Sequence, residues 1–200
     1  MPRHRQKVAD VKGRTVDLLF VGDSLTHNFE EPVGAGVWNE YYEPRNAFNI
    51  GFGGDRTEQV LWRIQNGEID GINPRLTLLL IGTNNTGHRD GPADITAQGI
   101  RRILDELLVR LPSTRILLLA IFPCGELPRD PRRRRNHEIN AIIQNFADHE
   151  RIYFRDIGSF LLDECDRVRA DLAPDFLHPK EEGYRLWADA IEPDIRQLMT

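Results

Sequence analysis

Cysteine, serine and long apolar runs are all scarce in this 200-residue chain, and each scarcity removes a class of explanation. Two cysteines, Cys124 and Cys165, are too few for a disulfide framework and fit no zinc-ligand spacing. No apolar run approaches the roughly 20 residues that span a bilayer, so stable membrane insertion is not expected. The apolar stretch after the polar, basic residues 1–14 is too short for the core of a signal peptide, which predicts a cytoplasmic protein. No P-loop lysine follows a glycine pair, and GFGGDR at 51–56 carries Arg56 where a dinucleotide fingerprint needs its third glycine. H-E-x-x-H is absent as well, so neither a nucleotide cofactor nor a metal is expected. A net charge of −5 argues against nucleic-acid binding through the whole surface.

What is present is alternation. Hydrophobic residues make up 40% of the chain, enough for a core, and the length fits one domain over 15–200 behind a polar extension at 1–14. Short β-rich runs at 16–21, 47–50, 76–81, 116–121 and 152–156 are separated by helical periodicity at 57–65, 94–111, 132–148 and 181–199. LTLLLI and ILLLAI are apolar at nearly every position, as strands covered on both faces must be. The pattern predicts an α/β fold with a five-stranded parallel sheet between helical layers. Pro131 suits a first helical turn, although the four arginines at 132–135 oppose the helix dipole there and read best as solvated surface.

Three successive strands run into unusual loops: Gly22-Asp23-Ser24, then residues 51–55, then Gly82-Thr83-Asn84-Asn85. In a parallel sheet such loops share one edge, where ligands bind. Of the three serines, Ser113 lies at the opposite edge and Ser159 reads as a helix cap. Ser24 follows a strand and precedes a helix, with Gly22 permitting a tight turn. A serine needs a base. His178 stands three residues after Asp175, a spacing that lets a carboxylate orient an imidazole; His88, near the third loop, is a weaker candidate, and His27 lies too close to Ser24 on one helix turn. Gly54 can present a backbone N–H, Asn84 a side-chain amide, and Ser24 its own N–H to a developing oxyanion. Taken singly, Ser24 reads as well as an N-cap, and Asp175, His178, Gly54 and Asn84 read as turn residues. Their order along one sheet edge is what points to acyl transfer. Trp38, Trp62 and Trp187 read as core or interface aromatics, with Trp38 the one placed to line a cleft.

The blocks VGDSL at 21–25, NIGFGGD at 49–55, GTNN at 82–85 and DFLH at 175–178 resemble those of the SGNH, or GDSL, hydrolase family. The longer string GGDRTEQVLWRIQNGEIDGINP at 53–74 is most similar to the catalytic subunits of intracellular platelet-activating-factor acetylhydrolases. The resemblance implies a flavodoxin-like three-layer α/β/α sandwich and metal-free hydrolysis of a small, short-chain ester. It implies Ser24 as nucleophile, Asp175 and His178 as its catalytic partners, and Ser24, Gly54 and Asn84 as the oxyanion hole. Leu25, Thr83 and Leu177 would line a small acyl pocket suited to acetyl, and a homodimer is implied by analogy. Relatives with the same blocks include carbohydrate O-acetylesterases, so the resemblance leaves the acetyl donor open.

Overall fold

Strands that are apolar on both faces need cover on both faces, and the chain supplies it. The computed structural model describes residues 2–89 and 91–200. In chain order the elements are α1 (Pro2–Asp10), β1 (Leu18–Gly22), α2 (Ser24–His27), α3 (Ala35–Tyr41), β2 (Ala47–Gly51), α4 (Thr57–Gln65) and β3 (Leu76–Leu80). They continue with α5 (Thr83–Arg89), α6 (Ala93–Arg110), β4 (Arg115–Leu119), α7 (Pro131–Ile143), β5 (Ile152–Arg155) and α8 (Glu181–Leu198). The strands form one all-parallel sheet in the order β2-β1-β3-β4-β5, the flavodoxin-like arrangement.

Each strand splits its side chains between two cores. Leu19, Val21, Ile50, Leu79 and Leu118 face a layer built from α4, α6 and α7, where Val60, Ile64, Ile103, Leu107 and Ile139 are buried. Leu18, Phe20, Leu78 and Leu117 face the other layer, where Val37 of α3 and Tyr184, Trp187, Ile191 and Ile195 of α8 pack. Period-2 alternation in the strands meets a helical stripe on each side, giving the three-layer sandwich.

The expected strands and the helix at 57–65 coincide with observed elements to within two residues at either end. The helix expected over 132–148 is shorter. It ends at Ile143, tightens into a 3-10 turn at Gln144–Phe146, and stops where Asp148 Oδ1 accepts the amides of Glu150, Arg151 and Ile152 at 2.8–2.9 Å. Asp130 caps this helix by accepting from Arg132 N at 2.9 Å, and its carboxylate offsets part of the cationic run. Arg133 reaches the Asp166 carbonyl, and Arg135 meets Glu138 at 2.9 Å. The residues read as a polar extension hold α1, although Met1 lies outside the described residues. Arg3 and Lys7 of α1 both bind Glu30, and His4 Nδ1 lies 2.8 Å from Glu68.

Candidate active site

The site is built by strand register. Gly22 of β1 pairs with Gly51 of β2 on one side and Leu80 of β3 on the other, so three loops leave the sheet at one level, about 4.8 Å apart. Gly22 is required here for space rather than for a turn conformation. A Cβ at this position would lie 2.2 Å from Thr26 Oγ1 and 2.4 Å from the Leu80 carbonyl oxygen. Ser24 is the first residue of α2 and is not its cap. Asp23 fills that position, its Oδ1 accepting from Leu25 N at 3.0 Å, which leaves the serine hydroxyl free for another partner.

That partner is His178. Ser24 Oγ and His178 Nε2 are 2.9 Å apart, although 154 residues separate them in the chain. On the far side of the ring, His178 Nδ1 lies 2.7 Å from Asp175 Oδ2. The second carboxylate oxygen of Asp175 accepts the backbone amides of Leu177 and His178 at 3.1 and 2.7 Å. Burial alone would raise the Asp175 carboxyl, but the bonds from His178 and Leu177 outweigh it and hold the pKa below the usual carboxylate value. The tight loop is completed by Phe176, which adopts a left-handed φ of 57° and whose carbonyl accepts from Gly125 N at 2.9 Å. A hydroxyl, an imidazole and an ionised carboxylate in this order can move a proton off the hydroxyl.

The other two loops bring amide donors. Gly54 has φ +80°, a conformation that favours glycine, and stands exposed at the tip of the loop after β2. The amides of Ser24 and Gly54 have no hydrogen-bond partner among the described residues. Asn84, expected in a loop, lies instead in the first turn of α5, where its Nδ2 donates to the Asp55 carbonyl at 2.9 Å. An amide nitrogen carries two hydrogens, so one stays available. Neighbouring Asn85 binds both the backbone amide and the hydroxyl of Thr57 and so ties α5 to the start of α4.

Two further residues steady these loops. His27 Nδ1 accepts from Gly53 N at 3.2 Å; burial and then Arg3 lower the pKa of this histidine, keeping the ring in the neutral form that an acceptor requires. Asn49, fully buried, donates to the Thr26 carbonyl and accepts from Gly51 N, both at 2.7 Å, clamping α2 to β2. Neither role is marked by a motif of its own. The sequence signals are the place of Asn49 inside the block at 49–55 and of His27 two residues beyond the block at 21–25.

Asp23 is the most strongly perturbed acid beside the site. Burial pushes its carboxyl up to about 7, against the Leu25 amide bond and the attraction of His178. A carboxyl raised in this way stabilises the fold fully below its unfolded pKa near 3.8, and that contribution is lost as pH rises through about 7. Asp23→Asn keeps an acceptor oxygen for the cap and carries no charge. It is expected to leave stability nearly unchanged at pH 4 and to raise it by up to about 4 kcal/mol at pH 8. Urea unfolding at the two pH values checks this, and an equal effect at both contradicts it.

His88 is exposed on α5, Ser113 sits in the turn before β4, and Ser159 lies inside a 3-10 turn at Gly158–Leu161 whose cap is Ile157. Trp38 joins an aromatic cluster, with ring centroids 5.2 Å from Phe20 and 5.4 Å from Tyr42. Leu25 is fully buried in the core, Thr83 is nearly so, and Leu177 is half-buried beside His178. Among the described residues, no group of three or more His, Cys, Asp or Glu side chains is arranged to hold a metal ion, and no helix is long and apolar enough to cross a membrane.

Residues 20–186 match the model of the GDSL-like lipase/acylhydrolase family. The chain is 32% identical to platelet-activating factor acetylhydrolase IB subunit alpha1 of Bos taurus, covering 100% of this chain and 84% of the relative. Among solved structures, a GDSL-like lipase from Bacteroides thetaiotaomicron superposes with a TM-score of 0.77 at 19% identity, over 98% of this chain and 97% of the other. An acetylxylan esterase from Geobacillus stearothermophilus does so with a TM-score of 0.69 at 22% identity, over 92% and 94%.

Proposed function

Since the chain belongs to the GDSL-like lipase/acylhydrolase family and is a carboxylic ester hydrolase, we propose that it removes short acyl groups, acetyl foremost, through an acyl-enzyme on Ser24. The observation that carries this reading is the unbroken chain from Ser24 Oγ through the His178 ring to the Asp175 carboxylate. His178 Nε2 takes the serine proton as Oγ attacks the ester carbonyl. The carbonyl oxygen then bears negative charge, which the Ser24 and Gly54 amides and the Asn84 side chain stabilise; the N-terminal end of α2 adds to that field. The tetrahedral species collapses, the alcohol leaves with the proton held on His178, and water enters by the reverse route to release the acid. Asp175 stays ionised throughout and fixes the tautomer of His178.

A short acyl group is supported by the residues around the Ser24–His178 pair and by the relatives. We assign Leu25, Thr83 and Leu177 to a small acyl pocket; Leu25 is fully buried and Thr83 nearly so, which leaves little depth for a longer chain. The acetylhydrolase and the acetylxylan esterase that resemble this chain share an acetyl group in name and differ in the alcohol that carries it. A series of p-nitrophenyl esters tests the reading. From acetate to hexanoate, kcat/KM is expected to fall about 10–10²-fold, because added methylenes overfill a closed pocket. A flat or rising series contradicts it. Comparing acetylated xylan with a 2-acetyl phospholipid then assigns the alcohol.

A further inference from the structure

Arg63 is 2% exposed, and its polar and ring contacts among the described residues fall on the end of β2, on the loop after it and on what braces that loop. Its guanidinium forms an ion pair with the Asp55 carboxylate, donates to the Ile50 carbonyl at 3.2 Å and stacks 3.7 Å from the Phe52 ring centroid. It also donates to Glu68 at 3.1 Å, and Glu68, fully buried, is held in turn by His4 of α1. Arg3 adds two bonds to the Gly51 carbonyl, at 3.1 and 3.0 Å. Residues 50, 52 and 55 are therefore fixed, while Gly53 and Gly54 between them stand exposed. Asp55 has a second role: its carbonyl is the acceptor that orients the Asn84 amide.

We infer that Arg63 is a positioning residue for the oxyanion hole, holding the turn that presents the Gly54 N–H and the carbonyl that aims the Asn84 amide. The inference rests on the reading of Gly54 and Asn84 as oxyanion donors. A buried ion-pair network is a costly way to fill space, since well-packed apolar residues often match or exceed its stability. What a planar, five-donor guanidinium supplies that an apolar side chain does not is fixed geometry on several acceptors at once. Displacement of reacting groups by about 1 Å costs on the order of 10² in rate, so such geometry bears directly on turnover.

The test is a double-mutant cycle on p-nitrophenyl acetate hydrolysis, with folding of each variant checked by circular dichroism. Asn84→Ala is expected to lower kcat by about 10²–10³. Arg63→Met is expected to lower kcat by about 10–10² with KM nearly constant, because the donors act on the transition state. Made in the Asn84→Ala background, Arg63→Met should cost clearly less, since the two act through one group. Arg63→Lys, which keeps the charge and loses the fork, should fall between native and Arg63→Met. If Arg63→Met does not fold, Asp55→Asn carries the same comparison. Equal losses in both backgrounds, or an unchanged kcat, overturn the role of Arg63 while leaving the oxyanion reading intact. An Asn84→Ala variant with native kcat overturns the oxyanion reading and this inference with it.

Discussion

Ser24→Ala is expected to reduce turnover of p-nitrophenyl acetate by about 10⁴–10⁶-fold, the range seen when a serine hydrolase loses its nucleophile. The alanine side chain ends at Cβ and carries no oxygen to attack the ester, so no acyl-enzyme forms. Whatever rate survives comes from oxyanion donors and binding alone, with water as nucleophile. Stability should barely change. The N-cap belongs to Asp23 and stays in place, and the substitution removes one side-chain hydrogen bond, to His178. A single such bond is worth about 1 kcal/mol net, or roughly 2–4 °C in Tm for a chain of this size. Rate and melting temperature together separate a chemical loss from a folding loss.

His178→Ala is expected to have an effect of similar size, about 10⁴-fold or more, for a different reason. The hydroxyl remains but loses the imidazole that contacts it, while His27 binds Gly53 and His88 is exposed on α5. Because nucleophile and base act as one unit, combining the two substitutions should cost little beyond either alone. His88→Ala, measured alongside, should leave the rate near native. The reverse pattern, with His88→Ala inactive and His178→Ala active, would move the base to α5.

Most of the scaffold was legible because it follows from burial. A strand such as LTLLLI, apolar at every position but Thr77, needs cover on both faces, and register then sets Gly22, Gly51 and Leu80 side by side. The blocks around Ser24, Gly54, Asn84, Asp175 and His178 were visible as strand-end loops and as a spaced D-x-x-H. The features without a sequence signal are held by tertiary contacts rather than by local pattern. α1 is nearly all polar and shows no apolar stripe; it is a helix against the body because Arg3, His4 and Lys7 find Glu30, Glu68 and the Gly51 carbonyl. α5 begins with threonine and two asparagines, weak helix formers, and is anchored by the bonds of Asn85 to Thr57. Arg63 carries no signal of its own within the helical run at 57–65, and only the fold turns it inward onto Asp55 and Phe52. The sequence setting of Gly22 suggests a tight turn, but what the fold needs there is the absence of a side chain, which lets α2 cross close above β1.

The central claim is that Ser24 is an activated nucleophile, and the most direct measurement is labelling of the folded protein with a fluorophosphonate, read by intact mass and peptide mapping. The account predicts one adduct per chain, located on Ser24, absent from Ser24→Ala and formed far more slowly in His178→Ala. An unlabelled native protein, or an adduct that persists unchanged in Ser24→Ala, would contradict it.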